Sequence, residues 1–292
     1  MTSWPRPRWT RPNLWWLVLP AILFFVLFFL IPVVSLFAIS FDKATAGVIT
    51  FQGNLTLDNF GRIFTRSLYY EAIIRSVWIG ITVAGICLII GYPLAYAIAR
   101  TFNPGRATLL TILVLASMQL DMVIRLYGMM VLMGDRGLIN LALMGMGIIS
   151  DPLPLMYNTF GVIAGLVQVT LPFMILSLIG VIKSINPSLE EAARSLGSSR
   201  WHVMRHVTWP LSLPGVYAGT LLVFALAISS YVVPALMGGW KVITLPIHIF
   251  QQIAEVGRWQ FGAAIATILF VTSMLAMAAY ILALRRNAGG RV

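Results

Sequence analysis

The segment LWWLVLPAILFFVLFFLIPVVSLFAI, residues 14–39, carries no charged side chain. Crossing a bilayer takes roughly 20 consecutive apolar residues, and this run exceeds that. It is longer than the apolar region of a signal peptide, typically about 7–15 residues, and lacks a small-residue cleavage pattern. It therefore reads as a retained helix. Working outward, five more stretches, at about 76–99, 107–132, 158–182, 214–238 and 260–284, meet the same length and polarity test. Pro20, Pro32, Pro93 and Pro172 fall inside spans, where neighbouring helices or side chains can satisfy the freed carbonyls. The third span is the least regular, because it holds Gln119, Asp121 and Arg125. The expected fold class is an all-α polytopic membrane protein with six transmembrane helices. It divides into a 1–13 tail, a 14–284 membrane domain and a 285–292 tail.

Composition agrees. The chain has 292 residues, 59% of them hydrophobic and 10% charged. A soluble domain carries about 45–50% apolar and about 25% charged residues. So few charges cannot cover a soluble surface, and so apolar a chain is not disordered. One cysteine, Cys87, leaves no intramolecular disulfide and no cysteine metal cluster; inside the second span it reads as ordinary packing.

The net charge of +11 follows from topology. Arg6, Arg8, Arg11, Arg100, Arg106, Lys183, Arg194, Arg200, Arg205, Arg285, Arg286 and Arg291 lie in the tails and in the 2–3 and 4–5 connections, with two acids, Glu190 and Glu191. The other side has Lys43, Arg62, Arg66, Arg75, Arg136, Lys241 and Arg258 against six acids. Twelve bases against seven place both termini in the cytoplasm. Trp4, Trp9, Trp15 and Trp16 cluster where the first span starts, as interfacial aromatics do. No basic residues gather on a soluble surface of the kind nucleic-acid binding needs. On the opposite side, GNLTLDNFGRIF (53–64) reads as a turn and a short amphipathic helix. Leu57, Phe60 and Ile63 would lie either at the membrane face or in a packed cap.

The most informative connection runs from Asn186 to Gly215, NPSLEEAARSLGSSRWHVMRHVTWPLSLPG. Ser188 with Glu191 has capping-box spacing. Leu189, Ala192, Ala193 and Leu196 share one stripe, and Glu190 and Arg194 can pair on the exposed face. Gly197 suits the left-handed residue that closes a helix. Ser198 or Ser199 can cap a second short helix at about 200–206, and Pro210 and Pro214 would end the unit. The stripe faces the cytosol. It packs either on the chain's own helix ends or in the groove of a soluble partner.

Glu191-Ala192-Ala193, three residues, Gly197, nine residues, then Val207-Thr208-Trp209-Pro210 resembles the EAA signature of ABC importer permeases, with Val207 and Trp209 standing where that pattern has isoleucine and leucine. The resemblance extends from about Leu57 to Leu284. It runs through LTLDNFGRIF, Gly91-Tyr92-Pro93-Leu94-Ala95-Tyr96, Arg125-Leu126-Tyr127, Leu171-Pro172-Phe173, Val233-Pro234-Ala235-Leu236 and Gly238-Gly239. It is most similar to the spermidine/putrescine type. The resemblance implies the type I importer permease fold, with the 184–214 loop as coupling element. Glu191, Ala192, Ala193, Gly197 and Pro210 would engage a cytoplasmic ATPase dimer, the lesser alternative for Glu191 being a capping role alone. It also implies a second homologous permease subunit and a periplasmic solute-binding protein. The chain has no G-x-x-x-x-G-K-[ST] phosphate loop of its own, so ATP hydrolysis belongs to the partner and no cofactor is expected.

Asp121 and Arg125 stand four apart at membrane depth, where ionisable groups are costly and point inward. They either line the solute pathway or pair with each other to fix packing. Tyr127 and Gln168 are further pathway candidates, with Thr170, Ser229 and Ser230 weaker ones, since such hydroxyls commonly bond to backbone or neighbouring helices. Gly161/Gly165 and Gly215/Gly219 have the spacing of close helix contacts. His202 and His206 have zinc-ligand spacing but lack the H-E-x-x-H glutamate and a third ligand, so no metal is expected. Four functional readings compete: a polyamine importer permease, the same machine carrying an organic anion, amino-acid derivative or ferric iron, a membrane enzyme, and an ion-coupled secondary transporter. The enzyme reading lacks convergent catalytic groups. The secondary-transporter reading would predict transport without the ATPase.

Overall fold

The computed structural model describes residues 15–44, 47, 51 and 53–288. Arg6, Arg8, Arg11, Trp4, Trp9 and Arg291 lie outside them. The described chain is helical, with one isolated bridge between Asp42 and Leu55. In chain order, α1 (Trp15–Phe25) passes through a π turn at Val26–Leu30 into α2 (Ile31–Ser40). Then come α3 (Asp58–Thr65), α4 (Ser67–Ala99), α5 (Pro104–Gln119), α6 (Met122–Met133), α7 (Leu138–Gly145), α8 (Thr159–Ser184) and α9 (Pro187–Ser195). A second continuous rod begins with α10 (Arg200–Val203), crosses a π turn at Met204–Thr208 and becomes α11 (Trp209–Ser229). The chain closes with α12 (Val232–Gly238), α13 (Leu245–Phe250), a π turn at Gln251–Glu255, and α14 (Trp259–Ala288).

Among the described residues, five helices are long and apolar enough to cross a membrane: Val18–Ser40, Ser67–Ala99, Thr159–Ser184, Arg200–Ser229 and Trp259–Leu282. The third expected span is broken. Pro104–Gln119 and Met122–Gly145 meet at 96°. The cause is Asp121, which leaves the helix to cap α6, its Oδ1 accepting from the Val123 N–H at 2.8 Å. The fifth span also differs from the expected 214–238. It starts at Arg200 and ends at Ser229, and Val232–Gly238 forms a separate short helix.

Pro210 and Pro214 do not end the loop unit as expected; both lie within the rod. Pro210 has no N–H, so the His206 carbonyl loses its α-helical partner. The π turn accommodates this: the Trp209 N–H bonds to the Met204 carbonyl, five residues back. Pro32 is treated the same way, with the Ile31 N–H reaching the Val26 carbonyl. In each case the widened turn just before the proline relieves the ring's clash with the preceding turn.

The core is the packing of α4, α8 and α11. Val83, Cys87, Leu166, Met174, Leu178 and Val223 are all buried there. The Cys87 thiol sits 3.4 Å from the Thr170 hydroxyl. Glycines set the approach of these helices. A Cβ on Gly91 of α4 would lie 3.0 Å from Met174 Cγ, and one on Gly219 of α11 would lie 2.7 Å from its Sδ. One methionine of α8 thus fills the gap that two glycines leave. The first span packs apart from this core, on α14, through Phe37 against Phe270 at 5.6 Å.

At the end of the bundle remote from α9, Ile63 is fully buried against Tyr69, Leu245, Phe261 and Ile265, while Leu57 remains exposed. The packed-cap alternative therefore describes α3. Asn59 secures it by donating to the carbonyls of Ser40 and Asp42, at 3.1 and 2.8 Å. His248 of α13 is buried beside Tyr69. Burial pushes its imidazole below its ordinary value, and the Gln251 amide oxygen, 3.1 Å away, opposes the shift only in part. The unfolded chain then binds a proton that the folded one refuses. The resulting stability is present above the ordinary imidazole pKa of about 6.5 and is lost as pH falls toward the lowered folded value. The melting temperature in detergent is expected to drop between pH 7.5 and pH 5, and His248→Gln should flatten that dependence. An equal acid sensitivity in the variant would assign the drop elsewhere.

Candidate functional site

The bent loop is built by local capping. The cap of α9 is Asn186, not Ser188. Its side chain accepts from the Ser188 N–H at 3.0 Å, and Pro187 occupies the first turn. Asparagine followed by proline is a strong helix-start signal, since proline presents no orphan N–H and has the helical φ preset. At the other end the Gly197 N–H bonds to the Arg194 carbonyl and the Ser198 N–H to the Ala193 carbonyl, with Gly197 at φ +89. That is a Schellman closure. Ser199 then caps α10, accepting from the His202 N–H at 3.3 Å.

The stripe is uncovered within the chain: Leu189 is 48% exposed and Leu196 89%. Glu191, Ala192, Arg194 and Gly197 are exposed as well, while Ala193 and Pro210 are half-buried. Glu190 does not form the expected surface pair with Arg194. It is 5% exposed, and its Oε1 lies 2.8 Å from Arg100 Nε. The same oxygen accepts from the Thr208 hydroxyl at 2.8 Å, and Oε2 from the Tyr96 hydroxyl at 3.3 Å. Arg100 also donates to the Ile185 carbonyl at 3.1 Å. Arg194 reaches only the Glu190 backbone carbonyl, at 3.4 Å. Two adjacent acids on one short helix cannot share a face, so that spacing signalled that the two are placed differently, without naming which one turns inward. Beside the pair lies a cleft of about 280 Å³, edged by Phe102, Pro187, Glu191, Arg194 and Arg200.

His202 and His206 stack at 3.9 Å, and no group of three metal-capable side chains occurs among the described residues.

In the broken span, Asp121 and Arg125 are not ion-paired. Asp121 is exposed and occupied as a cap. Arg125 is half-buried, and its Nε and Nη1 have no hydrogen-bond partner among the described residues. Gln168 of α8 likewise has an unpartnered buried Oε1, and Tyr127 is 55% exposed. No side-chain hydrogen bond joins these four among the described residues.

A bundle of membrane-crossing helices with an exposed, capped and bent loop between two of them is an arrangement that a transport permease can use. More particularly, residues 9–287 match the model of the binding-protein-dependent transport system inner membrane component family, and the chain belongs to that family. Among its relatives, the spermidine/putrescine transport system permease protein PotB of Haemophilus influenzae is 35% identical over 259 residues, covering 87% of this chain and 88% of that protein. PotB of Escherichia coli is 33% identical over 258 residues, covering 87% and 92%. The sulfate transport system permease protein CysW of Synechocystis is 28% identical over 266 residues, covering 89% and 90%. In fold, the chain is similar to one from a bacterial ABC transporter that imports the acidic polysaccharide alginate. The TM-score is 0.71 at 18% identity, over 94% of this chain and 95% of that one. A chain of the MetNI methionine ABC transporter in an inward-facing conformation gives 0.54 at 17% identity, over 76% and 98%.

Proposed function

We propose that the chain is a polyamine-conducting permease subunit of an ATP-driven importer in the bacterial inner membrane. The observation that carries the cargo is the 33–35% identity, over 87% of the chain, to permeases named for spermidine and putrescine. Its partners are a cytoplasmic ATPase dimer, a second homologous permease subunit, a periplasmic solute-binding protein and the bilayer. In this reading the 1–13 and 285–292 tails and the 184–214 loop are cytoplasmic, in line with the bias of basic residues.

The ATPase grips the exposed face of α9 formed by Leu189, Glu191, Ala192 and Leu196, with Ala192 and Ala193 allowing close approach. A helix capped at both ends carries displacement without fraying. Pro210 and the π turn lie where α10 passes into the membrane, so motion of α9 reaches α11 directly. ATP binding favours the closed ATPase dimer and through it the outward-facing permease. A loaded binding protein shifts the same equilibrium only by its differential affinity for the two states.

Asp121 at the break in the third span, Arg125 and Tyr127 in α6 just after it, and Gln168 of α8 form the proposed pathway lining. Asp121→Asn is a clean test, because asparagine caps a helix as well as aspartate does while removing the charge. The variant should reach the membrane at the wild-type level and take up putrescine several-fold less well at low concentration. Unchanged putrescine uptake would remove Asp121 from the pathway.

A second cargo reading, the same machine carrying an anion, draws on Arg125. Its two unpartnered nitrogens suit an anionic group that enters the site. If the cognate binding protein takes up a dicarboxylate or sulfate and ignores putrescine, this reading replaces the first.

A further inference from the structure

The buried carboxylate of Glu190 is more heavily engaged than any residue of the exposed stripe. Its donors come from two different helical rods: Arg100 and Tyr96 from the end of α4, and Thr208 from the π turn that leads into α11. Arg100 adds a bond to the Ile185 carbonyl, where α8 passes into α9. One side chain of α9 thus ties the end of α4 to the rod that becomes α11. The Tyr92 hydroxyl, one turn below Tyr96, repeats the link to the second rod through Ser212 at 2.9 Å.

We propose that Glu190 is the positioning residue of the loop: it locks α9 to α4 and α11, so that the three move as one body when the ATPase moves α9. This rests on the coupling reading above. The physical reason is directional. Apolar contacts let a short helix slide or roll, whereas a carboxylate held by three donors fixes both its depth and its rotation. α9 is only nine residues long and has a free outer face, so without the lock its displacement would dissipate in rolling on the helix ends.

The test uses the assembled importer in liposomes. Spin labels at Phe102→Cys and Ser195→Cys, both exposed and outside the gripped face, report the distance between the end of α4 and the end of α9. The expected wild-type result is one narrow distance that is the same without nucleotide and with ATP bound. Breaking the lock with Glu190→Gln should broaden it. That variant strands the Arg100 charge, which is destabilising in itself, so the paired change Glu190→Met with Arg100→Leu, which removes both charges, keeps the test open. In that double variant the distance should broaden or shift with ATP. ATP hydrolysis per transported putrescine should rise several-fold. A distance as narrow as wild type in the double variant, with unchanged hydrolysis per solute, overturns the proposal. Cross-linking Leu189→Cys to the ATPase separates the two readings. Contact with an unaltered double variant rejects only the lock, whereas no contact rejects the coupling reading itself.

Discussion

Gly219→Leu is expected to leave little folded protein in the membrane, and Gly215→Leu to behave similarly. A Cβ at Gly215 would lie 2.9 Å from Val181 Cβ and Cγ2, and one at Gly219 would lie 2.7 Å from Met174 Sδ. Met174 is fully buried and also faces Gly91, so it has little room to swing aside. Inserting a leucine into so close a contact costs about 1–3 kcal/mol by overpacking alone, and more when a helix must be pushed away. Against a total stability of about 5–15 kcal/mol, that is a large fraction. Gly180→Leu on α8 is the matched control, since nothing lies within 4 Å of its added Cβ. Melting in detergent should separate the two classes by several degrees. Equal melting temperatures for Gly219→Leu and Gly180→Leu would mean that α8 and α11 do not approach in this way.

Gly197→Val should have the opposite signature: normal insertion and stability of the spans, with loss of ATP-driven uptake. The residue is exposed and nothing lies within 4 Å of an added Cβ, so sterics do not forbid the change. Its φ of +89 does. A β-branched residue held at positive φ costs about 1–3 kcal/mol, enough to open the Schellman closure and release the end of α9. Gly197→Asn, which tolerates positive φ better, should keep more uptake than the valine variant. Immunoblots of membranes and uptake by vesicles containing the whole importer provide the two readouts. Normal uptake by Gly197→Val would show that the bend is not needed for coupling.

The two glycine predictions differ in how far the sequence could anticipate them. Gly197 was legible because its neighbours announce a helix end: an apolar stripe stops at Leu196 and two serines follow. Local chain conformation depends on local residues, so the bend and its caps could be read directly, apart from the exchange of Ser188 for Asn186. For Gly215 and Gly219 the spacing was visible, but not the partner. Nothing in α11 names Val181 or Met174, which lie in another helix.

Charged residues divide in the same way. Asp121 and Arg125 have the spacing of a helical pair, yet Asp121 ends one helix and caps the next. An uncapped α6 and a buried carboxylate would both have been costly, and the 96° break avoids both. Glu190 looked like half of a surface pair with Arg194, a residue four positions on. Its partners are Arg100, 90 positions earlier, and Thr208, 18 positions later.

The sequence by itself determined most of the apolar spans and the bent, capped loop, because each depends on composition or on neighbours within a turn or two. Only the tertiary structure decided which acid of the Glu190–Glu191 pair turns inward, where the third span breaks and which glycines hold the core. Those outcomes depend on which helix lies opposite, and burial makes every buried polar group seek a partner wherever the packing has brought one.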